Sequence, residues 1–285
     1  MAGRLIALLT DYGYKDPYAG VMKGVIKAIN PEAEIVDLTH GISRQDVLEG
    51  ALALLAARGY FPAGTIFVAV VDPGVGGRRR AVVVETTNYY LVGPDNGVLS
   101  LLAEADGIRR AFDVSNSRYR LPAVSGTFHG RDVFAPIAAW ISRGVRPEEL
   151  GVEVDPSSLA RLDIGNAEVE GGALRGAIIY VDAYGNLMTN IPARLAKSAG
   201  IEVGDQLFVR LQDGRRFECS FVESFSWVRP GELACYENSW GYVELAIFMG
   251  NAAEALGLGR GARVEIRRAG KKSPDDEDGR GGVGG

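Results

Sequence analysis

With 285 residues, 47% of them hydrophobic and 24% charged, the chain can bury one large or two modest cores, which excludes wholesale disorder. A net charge of −5 argues against nucleic acid as the main partner. Cys219 and Cys235 are too few and too far apart for a zinc knuckle or a redox pair, so free thiols are expected. No apolar run approaches the ~20 residues of a membrane span, and residues 5–9 are too short for a signal-peptide core, so no membrane association and a cytoplasmic protein are expected.

In chain order, residues 4–10 read as a central strand, followed by the polar loop Asp11-Tyr12-Gly13-Tyr14-Lys15-Asp16-Pro17. Residues 19–30 have helical spacing, with Val21, Val25, Ile26 and Ile29 on one side, and Pro31 stops them. Residues 34–38 form a second strand, and Ser43 with Asp46 reads as a capping box opening a helix that carries Val47, Leu48, Leu52 and Leu55. The β-branched run 65–71 follows, then a Gly/Pro-rich loop and the run 81–84. Shorter strands at 89–92 and 110–114 flank a helix at 97–105, and a further helix spans 132–142. Alternating strands and helices imply a mostly parallel sheet flanked by helices, with ligands at the carboxyl ends of its strands. Asp11 and Asp72 both stand at such ends.

Residues 144–172, rich in Gly, Pro, Ser and acids, read as an interdomain connection. Beyond it come short alternating runs at 173–181, 206–211, 216–221, 233–236, 242–247 and 263–266, with a hairpin signal at Asp213-Gly214. They fit a smaller antiparallel barrel or sandwich. The expected division is an α/β domain over 1–165, a small β domain over 166–270 and a disordered tail over 271–285, a segment almost without apolar residues.

Two stretches carry chemistry. Val71-Asp72-Pro73-Gly74-Val75-Gly76-Gly77-Arg78-Arg79-Arg80 sets an acid and three cations around glycines that permit close backbone approach. Thr127-Phe128-His129-Gly130-Arg131-Asp132-Val133-Phe134-Ala135-Pro136 supplies one of only two histidines. Walker and dinucleotide fingerprints are absent, and two scattered histidines offer no metal-ligand cluster.

Together these stretches resemble the S-adenosylmethionine hydroxide adenosyltransferase family, relatives of fluorinating and chlorinating enzymes. The resemblance implies hydrolysis of S-adenosylmethionine to adenosine and methionine by attack of water or hydroxide at the ribose 5′ carbon, without metal or cofactor. It implies that Asp72 accepts a hydrogen bond or proton from the water. Arg79, seven residues on, steadies negative charge, and His129 orients the nucleophile or relays the proton. Arg78 and Arg80 are expected to be solvated or structurally paired, and His40, which also follows a strand, to be structural. A carboxylate beside the nucleophile favours water over halide. A binding module that retains the pocket without turnover is the alternative from another class.

Substrate contacts follow from the same resemblance. Asp11 corresponds to the acid that holds both ribose hydroxyls, and Asp16 is placed to balance the methionine ammonium. In Asp182-Ala183-Tyr184-Gly185-Asn186-Leu187-Met188-Thr189-Asn190, Tyr184 replaces the family's phenylalanine. Asn186 is expected to read the adenine edge and Asp182 to hold the amino-acid end. Ser239, Glu244 and the Ile247 backbone are candidates for the methionine and adenine ends, and Phe225 for stacking on the base. Relatives of this kind are homotrimers with sites at subunit interfaces.

Overall fold

The structure, a computed structural model, describes residues 5–270, and the chain divides between Leu162 and Asp163 into two compact units. The expected tail over 271–285 lies outside the described residues.

The first unit runs β1 (Ile6–Thr10), α1 (Tyr18–Ile29), β2 (Ile35–Thr39), α2 (Val47–Ala56), β3 (Ile66–Val70), β4 (Ala81–Thr86), β5 (Tyr90–Pro94), α3 (Ser100–Asp106), β6 (Ile108–Asp113), α4 (Ala135–Ser142), α5 (Pro147–Leu150) and β7 (Val152–Val154). A wider, π-helical turn, Gly130–Phe134, leads into α4. The sheet order is β2-β1-β3-β5-β4-β6-β7. Strands β2, β1, β3 and β5 are mutually parallel, while β4 and β7 run against their neighbours.

Both faces of the middle of this sheet are covered, which is why β1, β3 and most of β4 read as unbroken apolar runs. Ile6, Leu8, Val68 and Val70 point to the face where Met22 and Ile26 of α1 pack with Ile137 and Ile141 of α4. Ala7, Leu9, Phe67 and Ala69 point the other way, onto Leu54 of α2 and Leu102 of α3. Period-two alternation along each strand thus feeds two cores.

The topology gathers loops at one edge. Strands β1, β3 and β5 end there; β4 starts there, since Ala81 pairs with Pro94; β6 ends there, since Val82 pairs with Asp113. The turns after β1 and β3 and the segment after β6 therefore meet although they are far apart in sequence.

The second unit contains β8 (Glu168–Glu170), β9 (Ala173–Val181), β10 (Leu187–Pro192), α6 (Ala193–Ser198), β11 (Gln206–Leu211), β12 (Arg216–Phe221), β13 (Leu233–Glu237), β14 (Tyr242–Ile247), α7 (Ala252–Leu256) and β15 (Arg263–Arg268). Its order, β10-β14-β13-β12-β11-β15-β9-β8, closes through an added β10–β9 pairing, so seven strands form a barrel and β8 lies outside on β9. Only β12–β13 pairs in parallel among these strands. The hairpin at Asp213-Gly214 joins β11 to β12. Cys219 and Cys235 are buried free thiols in this core.

Three sequence expectations need correction. The connection over 144–172 holds α5, β7 and β8; its strands are only three residues long, too short for a period to register. Ser43 does not cap α2; Asp46 does, its carboxylate accepting from the Glu49 N–H at 3.0 Å. Strand β10 went unread because it starts directly after a stretch taken for turn chemistry, Tyr184-Gly185-Asn186.

Candidate active site

The loop between β3 and β4 folds as two successive turns, Val75 N–H to the Asp72 carbonyl at 3.2 Å and Gly77 N–H to that of Gly74 at 3.0 Å. Asn96, just after β5, donates to the Val71 carbonyl at 2.8 Å and anchors the loop's start. The turns bring Arg79 back over Asp72. Arg79 Nε donates to both carboxylate oxygens at 3.1 Å, and Nη2 makes a further, shorter bond to Oδ2. Both side chains are nearly buried, at 11% and 5% exposure, so solvent screens this pair little. The guanidinium carbon also lies 5.4 Å from the Phe134 ring centroid.

His129 arrives from the segment after β6. Asp132, wholly buried, organises that segment. Its carboxylate accepts from the Ser125 N–H at 2.8 Å and from Arg131 at 2.6 and 3.0 Å, and its carbonyl accepts from the Leu121 N–H at 2.9 Å. Burial opposes its charge, but Arg131 and the Ser125 N–H hold the carboxyl below its usual range. The two loops touch at Gly76, whose φ is +74° and where a Cβ would lie 2.1 Å from the Gly126 carbonyl oxygen.

The outcome is a contact of 2.8 Å between Arg79 Nη2 and His129 Nδ1. A guanidinium can only donate, so Nδ1 accepts, the imidazole is neutral and its proton sits on Nε2. Burial first, then the Arg79 cation, hold the His129 pKa below its ordinary value. Asp72, Arg79 and His129, which the sequence set in two distant loops, therefore form one hydrogen-bonded line. The chemistry available is a fixed cation, an anionic acceptor and a neutral N–H donor around one small space.

Of the other first-unit candidates, Asp11 follows β1, and its Oδ2 accepts from the Gln45 N–H at 2.8 Å. Asp16 is exposed on the same loop. Tyr12 was not singled out from the sequence. Its hydroxyl lies over Gly130, where a Cβ would be 2.6 Å from it, and its ring packs edge-on to Phe128 with centroids 5.8 Å apart. Burial, then the Asp11 and Asp72 carboxylates, push its phenol up, so it stays a neutral donor. The signal was its place between Asp11 and Gly13. Arg78 is exposed, and Arg80 pairs with Asp95 at 2.6 Å. Among the described residues no group of three or more His, Cys, Asp or Glu converges as a metal site would require.

The second-unit candidates share one cavity of about 950 Å³, lined by Asp182, Tyr184, Asn186, Phe225, Ser239, Glu244 and Ile247. Asp182 is partly spoken for: its Oδ1 accepts from the Tyr184 and Asn186 N–H groups at 2.9 and 2.8 Å, and its Oδ2 from Asn186 Nδ2 at 2.9 Å. That leaves the Asn186 side-chain oxygen, Oδ1, for a ligand. Glu244 is held by the Tyr236 hydroxyl and by Asn238 Nδ2 at 2.8 Å. Burial, then Glu244, push the Tyr236 phenol up. Trp240 stacks on Tyr180 at 5.5 Å, giving the cavity an aromatic wall. Trp240 was not singled out from the sequence. Tyr184 and Phe225, at 79% and 43% exposure, stand at the open rim.

Residues 6–151 match the SAM hydroxide adenosyltransferase N-terminal domain and residues 176–265 match the C-terminal domain of the same family. The chain is 39% identical over 270 residues to an (R)-S-adenosyl-L-methionine hydrolase from Thermus thermophilus, covering 92% of this chain and 99% of the relative. It is 37% identical to a protein of that name from Salinispora tropica, covering 92% and 97%. More distant relatives, at 28% identity and below, are named fluorinase. A solved structure of an uncharacterized conserved protein from Thermotoga maritima superposes with a TM-score of 0.87 at 38% identity, covering 92% of this chain and all of that one.

Proposed function

The chain belongs to the SAM hydroxide adenosyltransferase family, and from that premise we propose that it hydrolyses S-adenosyl-L-methionine to adenosine and L-methionine. The observation that carries the assignment of residues is the line Asp72–Arg79–His129 at the carboxyl edge of the sheet.

Water attacks the ribose 5′ carbon opposite the sulfonium. The C5′–O bond forms, the C5′–S bond breaks with its electron pair going to sulfur, and one proton leaves to solvent. A sulfonium departs as a neutral thioether, so neither a general acid nor a cofactor is required. The difficulty is the nucleophile, because free water has a pKa of about 15.7. Asp72 accepts from the attacking water, and the Arg79 field stabilises hydroxide character on its oxygen. His129 acts through Nε2–H as an orienting donor, since its Nδ1 is engaged by Arg79. Charge is lost as hydroxide meets sulfonium, so near-buried surroundings favour the step.

For the substrate, Asp11 takes the ribose hydroxyls and Asp16 the ammonium, while the barrel cavity takes adenine and methionine through Asn186, Asp182, Ser239, Glu244, the Ile247 backbone, Tyr184 and Phe225. We also propose a cytoplasmic homotrimer with sites at its subunit interfaces. In support, each chain carries the catalytic line and the nucleoside cavity in different units. Among the described residues no helix is long and apolar enough to cross a membrane.

A sulfonium with three different substituents is chiral, and the relatives' names specify the (R) form, which we take as the substrate here. Purified protein is given each sulfur epimer separately, with and without chloride or fluoride, and products are followed by chromatography. Adenosine and methionine from the (R) epimer, independent of halide, are expected. No adenosine from either epimer, or a 5′-halogenated nucleoside, overturns the reading.

A further inference from the structure

We propose that Thr10, His40 and Asp37 form a buried relay that positions Asp11, and thereby sets how strongly the protein discriminates ribose from deoxyribose. The inference rests on the proposed role of Asp11 as the ribose acid.

His40 and Thr10 are both wholly buried. His40 Nδ1 lies 2.8 Å from Thr10 Oγ1, and Nε2 lies 3.1 Å from Asp37 Oδ1 on a bent approach. Those last two atoms are buried and neither has a hydrogen bond of good geometry among the described residues, so the contact between them is electrostatic. Asp37 Oδ2 takes Lys23 Nζ at 2.6 Å. Burial disfavours the Asp37 charge, yet Lys23 and His40 hold its carboxyl below the usual range.

With a neutral imidazole the donors take one order. A carboxylate accepts, so His40 carries its proton on Nε2 and leaves Nδ1 bare; the Thr10 hydroxyl must then donate to Nδ1. With its hydrogen committed, Thr10 Oγ1 accepts the Tyr12 N–H at 3.2 Å. The Gly13 N–H donates to the His40 carbonyl at 2.7 Å. The two backbone N–H groups following Asp11 are thus fixed by Thr10 and His40, while the Gln45 N–H holds one carboxylate oxygen and leaves the other for a ligand.

The register of β1 on β2 supports this. Leu8 faces Asp37 but Leu9 faces Thr39, so Leu38 is an extra residue at the end of β2. A bulge between parallel strands is rare and re-aims the side chains that follow it, here His40.

The test compares Thr10→Val, which removes the hydroxyl at constant shape, with Thr10→Ser, which keeps it, and adds Asp37→Ala at a partly exposed position so that one relay variant survives should another misfold. Calorimetry gives Kd for adenosine and for 2′-deoxyadenosine, and thermal melting reports folding. A site built to hold a hydroxyl rejects the analogue that lacks it. Thr10→Val and Asp37→Ala should cut the wild-type preference for adenosine roughly fivefold or more, and Thr10→Ser should keep it within about twofold. A packing role alone would lower the melting temperature and weaken both ligands alike; an unchanged ratio in folded Thr10→Val and Asp37→Ala overturns the relay. Asp11→Asn separates the two readings: if wild type shows no preference, or Asp11→Asn retains it, the ribose role of Asp11 fails instead.

Discussion

The chain's two histidines lie in segments that follow strands at the same sheet edge, and each holds Nδ1 at 2.8 Å from a polar partner, Thr10 Oγ1 for His40 and Arg79 Nη2 for His129. They differ in the other nitrogen. His40 Nε2 is buried against Asp37, whereas His129 Nε2 has no hydrogen-bond partner among the described residues and its side chain is only partly covered. An imidazole engaged at both nitrogens can only hold something in place, while one engaged at a single nitrogen presents a fixed donor to a ligand. Position after a strand does not distinguish these cases; the partner of the second nitrogen does.

The largest break in this comparison is Arg79→Met, which removes the donor that fixes the His129 tautomer and leaves Asp72 unpaired. Turnover of S-adenosylmethionine should fall about 10³-fold, in the range seen when a preorganised donor is removed, while adenosine binding persists. Single-turnover chromatography alongside calorimetry measures both, and near-wild-type turnover would remove Arg79 from the mechanism.

Next comes His129→Asn. Asparagine can accept from Arg79 and donate to the nucleophile, but it cannot titrate. If His129 orients rather than removes the proton, roughly one-tenth to one-hundredth of the rate should remain, less than the loss of a general base would cost. The pH profile sharpens the point. Because the His129 pKa is depressed in the folded protein, the neutral form and the stability it contributes are fully present above the ordinary imidazole value of about 6.5. Both are lost as pH falls through the lower folded value, when a proton on Nδ1 displaces the Arg79 N–H. Wild type should show that acid limb in kcat, and His129→Asn should lack it.

The smallest effect belongs to Gly76→Ala, which forces a Cβ against the Gly126 carbonyl at a positive φ. A cost of ~2 kcal/mol in stability is expected from strain. Loosening the contact between the loops should lower kcat by about tenfold with little change in KM, since misplacement affects the reacting geometry more than binding. Denaturant melts and steady-state kinetics check the pair; unchanged kcat would mean that the loops hold their positions independently.

Much of the site was legible in the sequence. Asp72 and Arg79 stand seven residues apart in a loop whose glycines announce close approach, and His129 lies in a stretch dense with glycine and charge, so local patterns and family resemblance sufficed to select them. Asp132 was overlooked because a carboxylate opening a helical pattern looks like an ordinary cap; its burial and its bonds to Leu121, Ser125 and Arg131 exist only once the loop has folded around it. Tyr236 and Asn238 were overlooked likewise, since their hold on Glu244 crosses between strands.

By itself the sequence determined the residue types able to do the chemistry and the alternation of strands and helices, because both follow from side-chain chemistry and short-range periodicity. The tertiary structure alone decided which nitrogen of His129 carries the proton and which histidine can face a ligand, because those depend on partners that sheet order and a one-residue bulge bring close from positions 30 and 50 residues away.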